Sequence, residues 1–268
     1  MSAREDAAGS FERSAADYDE ILAANRRGAE RLAAALPPGD YRDLLDVGCG
    51  TGFTTEAMVA RHPIRRVVGV DPSPAMLERF RAKLDRLGDV EVTLHEAGVD
   101  RLPVPEASVD AAVSGMAFHW FPDKPAAVRA MARTLRPGGV LGILASGRGS
   151  DEELRRLMAG LRPRVPAAWT EVFDLIQRDA RELEDDLEGA GLEPLDVWEE
   201  HRRRRADPEA YTARIMAVAS HLSAEMDPEE AAAEQARVAR AVRGAAGPRG
   251  FEYTFVKLFG IARRRPPG

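Results

Sequence analysis

The chain has 268 residues, of which 44% are hydrophobic and 31% charged, and a formal net charge of −6. That balance suits one large domain, or one domain with a cap, and excludes wholesale disorder. An acidic chain is a poor non-specific partner for phosphate backbones, which argues against nucleic acid as its main partner.

In chain order, the opening MSAREDAAGS is polar and acidic and lacks an apolar signal core. No later apolar run approaches the roughly 20 residues needed to span a bilayer. Short β-type apolar runs then recur at Leu44–Val47, Val67–Val70, Val90–Leu94, Val109–Val113 and Val140–Ala145. Helical segments are predicted between them at Thr54–Arg61, Pro74–Leu87 and Pro125–Leu135. The second places Met76, Leu77, Phe80, Leu84 and Leu87 on one face, with Ser73 as N-cap and Pro74 at the first helical position. RPGG at Arg136–Gly139 reads as a turn into the next strand. Strands separated by helices predict an α/β fold, a doubly wound, mostly parallel sheet of seven strands.

Beyond Ala145, Asp151–Gly160 and Glu171–Ala190 read as helices, and LEPLDVWEEHRRRR as a strand with a charged extension. Pro208–His221 and Pro228–Arg243 read as Ala-rich helices, and FEYTFVKLFGIARRR as an antiparallel final strand. The expectation is one domain over 1–268, in which 147–179 and 207–247 are helical insertions forming a cap.

The chemistry concentrates in LLDVGCGTGF. Gly48, Gly50 and Gly52 fall on a strand-to-helix turn, where glycine permits positive φ and close ligand approach. A dinucleotide fingerprint would be GxGxxG, but position 53 is Phe. Asp46, just before the turn, would repel a pyrophosphate and attract an ammonium. Asp71 ends the second strand, where an acid can accept both ribose hydroxyls or else cap the following helix. Cys49 is the only cysteine, which allows no internal disulfide and fits a reducing cytosol, so a cytoplasmic protein is expected. A nucleophilic cysteine needs an activating partner, and none is visible.

Taken in order, LLDVGCGTG, VVGVDPSPAML, LHEAGVDRLPVPEASVD, AFHWFPD and TLRPGG resemble the class I S-adenosylmethionine-dependent methyltransferases. More narrowly, they resemble the small-molecule branch that includes trans-aconitate and ubiquinone/menaquinone methyltransferases. The resemblance covers roughly 11–145 and implies a Rossmann-like methyltransferase fold with that segment as cofactor-binding core. It implies that Asp46, Gly48, Cys49 and Gly50 surround the methionine part of S-adenosylmethionine. Asp71, followed by Pro72, would take the ribose, and Met76 would pack on the adenine. Val99 and Asp100 stand where the family often has Ala-Glu, and would meet the adenine ring and its amino group. Ser114, Gly115 and Met116 would complete the site, the last two offering carbonyls to the cofactor ammonium. Tyr18, in FERSAADYDE, would close over the cofactor carboxylate or else pack on its own helix. S-adenosylhomocysteine would be the product.

His119, in SGMAFHWFPD, lies just past the fourth strand, at the sheet edge where open α/β folds bind ligands. It is a candidate base or acceptor-positioning residue, with local packing as the plainer alternative. His201, His221, Trp169, Phe173 and Trp198 are weaker pocket candidates. Asp185–Asp186 and Glu199–Glu200 read as solvated charge, and the arginines after His201 as the exposed side of an edge strand. No metal-ligand spacing is present. The expected function is methyl transfer to the O, N or C of a small molecule. Rival readings are a non-catalytic cofactor-binding regulator, an RNA methyltransferase and a nicotinamide dehydrogenase.

Overall fold

The computed structural model describes residues 25–160, 178–219 and 227–266, except for the side chains of 217–219 and 228. Helix α1 (Arg26–Ala35) buries Gly28, Ala29, Leu32 and Ala33 along one stripe. It stops at Leu36, whose extended conformation is the one a following proline imposes. Strand β1 (Asp43–Val47) leads through the glycine turn into α2 (Phe53–Arg61), and β2 (Arg66–Asp71) leads into α3 (Pro74–Arg81). Ser73 caps α3, with proline in its first turn, as the sequence predicts. The helix expected to run to Leu87 instead ends at Arg81, and Leu84–Leu87 form a separate 3-10 turn. The break falls at Lys83, whose ammonium donates to the Thr51 carbonyl at 3.2 Å and lies 4.8 Å from the centre of the Phe53 ring.

Strand β3 (Glu91–Glu96), β4 (Val109–Gly115), α4 (Lys124–Thr134) and β5 (Leu135–Ser146) follow. RPGG does not precede β5 but bulges within it. Val109 pairs with Leu135, the register then shifts, and Ala111 pairs with Val140. Arg136 of the bulge clamps Asp43 at 2.8 Å and Asp110 at 2.5 Å. Helix α5 (Glu152–Gly160) comes next. Helix α6 (Ala180–Gly189) begins at a reciprocal capping box between Asp179 and Glu182 that fixes its first turn, and the predicted start at Glu171 lies outside the described residues. Strand β6 (Leu192–Ala206), α7 (Pro208–Ala219), α8 (Pro228–Ala245) and β7 (Phe251–Arg264) complete the order.

The sheet order is β3-β2-β1-β4-β5-β7-β6. β1 to β5 are parallel neighbours, and β7 pairs antiparallel with β5 from Val140↔Arg263 to Ser146↔Lys257. Side chains alternate along the central strands into two cores. Leu45, Leu141, Ile143 and Leu258 join Val128 and Met131 of α4 and Leu183 and Leu187 of α6 on one face. Leu44, Val140, Leu144, Phe259 and Ile261 join Leu32 of α1 and Met58 of α2 on the other. Removing one such leucine costs about 2–5 kcal/mol. The chain runs outward from β1 toward β3 and then returns to β4, so the switch point lies between the carboxyl ends of β1 and β4.

The described residues divide into two compact units. One, comprising 25–147, 178–200 and 257–266, holds the pairings and cores above. The other comprises 148–160, 201–219 and 227–256. Within it, Asp151 Oδ1 accepts from the Tyr211 hydroxyl at 2.8 Å and from Arg214 at 2.6 Å. The Arg214 guanidinium also lies 5.0 Å from the centres of both the Tyr211 and Tyr253 rings.

Candidate functional site

The switch point gathers three segments: the glycine turn, the end of β2, and the stretch after β4. Gly48, Gly50 and Gly52 all take positive φ, at 70°, 53° and 90°. The amides of Gly48 and Cys49 both donate to the Val70 carbonyl, at 2.7 and 3.0 Å, which binds the turn to β2. A Cβ on Gly48 would stand 2.3 Å from the Ala117 Cβ, so glycine is needed there for the two segments to meet. A Cβ on Gly50 would meet nothing within 4 Å, so this glycine faces open space. Cys49 points inward onto Gly69 and is buried. Burial raises its thiol pKa well above the ordinary value, and Asp71 and Asp46 add to the rise. Such a thiol is a packing group and not a nucleophile.

Asp46 is fully buried at the end of β1. Its Oδ2 accepts the Thr55 hydroxyl at 2.6 Å, and its Oδ1 has no hydrogen-bond partner among the described residues. Burial raises its pKa to about 7, with Asp71 adding to the rise and Thr55 opposing it. Asp71 is 8% exposed. Its Oδ2 accepts the Gly50 amide and its Oδ1 the Ser73 amide, both at 2.9 Å. Burial raises its pKa to about 6 against those two donors. Each Asp71 oxygen keeps a further lone pair, as a ribose-binding carboxylate requires. The helix cap itself is Ser73.

The third segment begins with Ser114, whose buried hydroxyl has no partner among the described residues. At Gly115 a Cβ would strike Thr54 of α2. Met116 holds a φ of 57°, unusual for a residue with a side chain, while its amide donates to the Leu144 carbonyl at 2.7 Å. This strain turns the chain sharply at the carboxyl edge. Phe118, the aromatic just before His119, is fully buried in the core with Val128 and Met131. Phe121 packs edge-on against it, with ring centres 5.9 Å apart.

His119 is also buried. Its Nδ1 accepts a long hydrogen bond of 3.5 Å from the Ser146 amide, which leaves the proton of the neutral ring on Nε2. Burial, helped by Lys124, pushes its pKa down to about 3. A ring so weakly basic, whose Nδ1 is already engaged, is suited to donate a hydrogen bond and poorly suited to take a proton. Lys124 opens α4, is itself buried, and donates to the Phe121 carbonyl at 3.3 Å. Burial and Arg178 lower its pKa to about 8, while Asp186 and Glu182 oppose the shift. Lys124 and Thr55 were missed in the sequence. Thr55 carried a usable signal, because it follows the glycine turn on the first helical turn, facing back to β1.

Val99 and Asp100 lie in a 3-10 turn beyond β3. Val99 packs on the core, and the exposed Asp100 carboxylate approaches Arg101 at 3.9 Å. The Asp71 carbonyl accepts from the Ala97 amide at 3.2 Å, which fastens this loop to the end of β2. Met76 is buried on α3, two positions after Pro74. Tyr18, Trp169, Phe173 and His221 lie outside the described residues. Trp198 stacks flat on Phe259 at 4.6 Å, which is core packing. Three acids expected to be solvated charge instead have partners. Glu199 accepts the Ala180 amide, Glu200 pairs with Arg31, and Asp186 faces Arg178. Strand β6 does lie at the sheet edge, where Arg205 pairs with Glu252 and His201 is exposed. Among the described residues no group of three metal-ligating side chains comes together, and no helix is long and apolar enough to cross a membrane.

A doubly wound sheet with an antiparallel seventh strand, an acid-preceded glycine turn and a tethered acid at the end of β2 together define a class of cofactor-binding α/β fold. The family described as "Methyltransferase domain" matches residues 45–143. Trans-aconitate 2-methyltransferase of Methylobacterium radiotolerans is 31% identical over 250 residues, covering 89% of this chain and 93% of that protein. The malonyl-[acyl-carrier protein] O-methyltransferase of Dechloromonas aromatica is 39% identical over 151 residues, or 56% of this chain. The chain spans 54% of the length of that relative. A Haemonchus contortus phosphoethanolamine N-methyltransferase, solved with S-adenosylhomocysteine, shares the fold at a TM-score of 0.61 and 16% identity, covering 100% of this chain and 61% of that one. The chain belongs to the class I S-adenosylmethionine-dependent methyltransferases. The open space at Gly50, the tethered Asp71 and the Asp46 oxygen left without a partner among the described residues fit that cofactor.

Proposed function

We propose that the chain methylates the carboxylate of a small organic acid, with S-adenosylmethionine as donor. The observation that carries this reading is the state of His119. It is buried, its pKa is held near 3, and its Nδ1 is engaged by a backbone amide. A general base is worth typically 10²–10⁴-fold where the acceptor must lose a proton, and His119 is badly placed to supply it. A carboxylate is already ionised and needs no base. Trans-aconitate and the malonyl group, named for two of the relatives, both carry carboxylates, which supports the same reading.

The cofactor supplies a methyl group activated by its sulfonium leaving group. The protein then has to bind, orient and exclude water, and positioning of this kind is worth several kcal/mol of barrier. In this reading Asp46, Gly48 and Gly50 hold the methionine part, with Cys49 packing the turn from behind. Asp71, beside Pro72, takes the ribose. Met76, Val99 and Asp100 bound the adenine, and Ser114, Gly115 and Met116 face the ammonium. The His119 Nε2–H and the Trp120 indole orient the acceptor.

The test is a mass-spectrometric acceptor screen with methyl-labelled cofactor over matched carboxylic acids, amines, phenols and RNA. A labelled, base-labile methyl ester is the expected product. Label on nitrogen, carbon or RNA overturns the carboxylate reading. Cofactor binding with no product from any acceptor favours a non-catalytic regulator.

A further inference from the structure

Two other acidic groups lie near the Asp46 carboxylate. From the glycine turn it faces Cys49, and from the end of β2 it faces Asp71. From α2 it receives a single neutral donor, the Thr55 hydroxyl at 2.6 Å. Its sheet neighbours are Gly69 on β2 and Val113 on β4, which bring no charge. The second carboxylate oxygen is buried and has no hydrogen-bond partner among the described residues. An ionised carboxylate in such a place lacks the compensation that burial demands, so the group moves toward its neutral form. A cation arriving at Oδ1 reverses that balance.

We propose that Asp46 Oδ1 is a proton-for-ammonium exchange site: the ligand-free protein carries a proton there, and the amino-acid ammonium of the cofactor expels it on binding. The O–H bond of Asp46 breaks, the proton passes to solvent, and the carboxylate so formed accepts a hydrogen bond from the ammonium, so charge balances. The inference rests on the cofactor reading above and adds a regulatory consequence to it. Cofactor affinity rises with pH across the neutral range, because binding releases a proton. With Asp46 titrating near 7 in the free protein, the dissociation constant should weaken about 25-fold between pH 7.5 and 5.5.

The experiment is calorimetric titration of the full chain with S-adenosylhomocysteine at pH 6.5, in two buffers of different ionisation enthalpy. Release of roughly 0.7–1 proton per ligand is expected. Asp46→Asn should bind with that release largely lost. Adenosine, which lacks the ammonium, is the second probe, used on the unmodified chain, and should bind with little release. Equal heats in both buffers for S-adenosylhomocysteine overturn the proposal. Equal proton release with adenosine overturns the assignment to Asp46 and moves it to Asp71. Absence of S-adenosylhomocysteine binding at every pH overturns the cofactor reading itself, a separate and recognisable failure.

Discussion

Asp71 holds Gly50 from 21 positions further along the chain, its Oδ2 accepting the Gly50 amide at 2.9 Å. The same carboxylate accepts the Ser73 amide through Oδ1. One side chain therefore sets the glycine turn against the start of α3, and is oriented before any ligand arrives.

Asp71→Ala removes this tether together with the proposed ribose contact. Hydrogen bonds to a charged group are worth about 1.5–3 kcal/mol each, so affinity for S-adenosylhomocysteine should fall at least tenfold. The rise in melting temperature that S-adenosylhomocysteine gives the unmodified chain should vanish in the variant. A retained shift would remove Asp71 from the site.

Gly48 and Gly50 should separate stability from binding. Gly48→Ala meets both a left-handed φ and the Ala117 side chain, so about 2–5 kcal/mol of destabilisation is expected. Gly50→Ala meets only the left-handed φ, at a cost of about 1 kcal/mol, and projects its methyl into the ligand space. Urea unfolding should therefore rank Gly48→Ala as far the less stable. Ligand titration should show Gly50→Ala as folded but weak in binding.

His119→Gln keeps a hydrogen-bonding side chain and removes the titration. If His119 positions the acceptor, kcat should fall less than about tenfold, well short of the 10²–10⁴-fold loss of a general base. Its pKa is pushed down to about 3 in the folded chain, against 6.5 ordinarily, so the unfolded chain takes up a proton that the folded chain refuses. The stability so contributed is full above about pH 6.5 and is lost as pH falls toward 3. The variant's unfolding free energy should therefore decline less steeply in that window, by about 1.4 kcal/mol per pH unit. Asp46 and Asp71 titrate in both proteins and cancel from the comparison.

Cys49 should resist thiol reagents in the native state and react on unfolding, since it is buried and its thiol is held protonated. Cys49→Ala should keep cofactor affinity within about threefold, as a packing change behind the turn. Rapid native labelling would show that the turn opens.

The sheet was legible because period-2 apolar runs alternate with helical ones, and because β7 carries the aromatic and β-branched residues of a buried strand. The glycine turn was legible because its positive φ angles are ones that few residue types permit, and the place of Asp71 was legible because it ends the second apolar run. Three things were not. Helix α1 passed unnoticed because its buried face is mostly glycine and alanine, which carry little hydrophobic contrast. The truncation of α3 was hidden because its apolar spacing continues past Arg81 into the separate 3-10 turn, while the long-range contact of Lys83 at the break has no local signal. The state of His119 depends on burial and on the nearby Lys124, neither of which its neighbours in sequence announce.

The place of β7 in the sheet has a consequence for synthesis. It lies between β5 and β6, yet it leaves the ribosome after both. Until it arrives, the outer edge of β5, almost wholly apolar from Val140 to Ser146, has no partner. At roughly 5–20 residues per second, the stretch from Ser146 to Phe251 keeps that edge open for roughly 5–20 s. A nascent chain in that interval is an open template for strand exchange, so chaperone demand should be set by the elongation rate through α5 to α8.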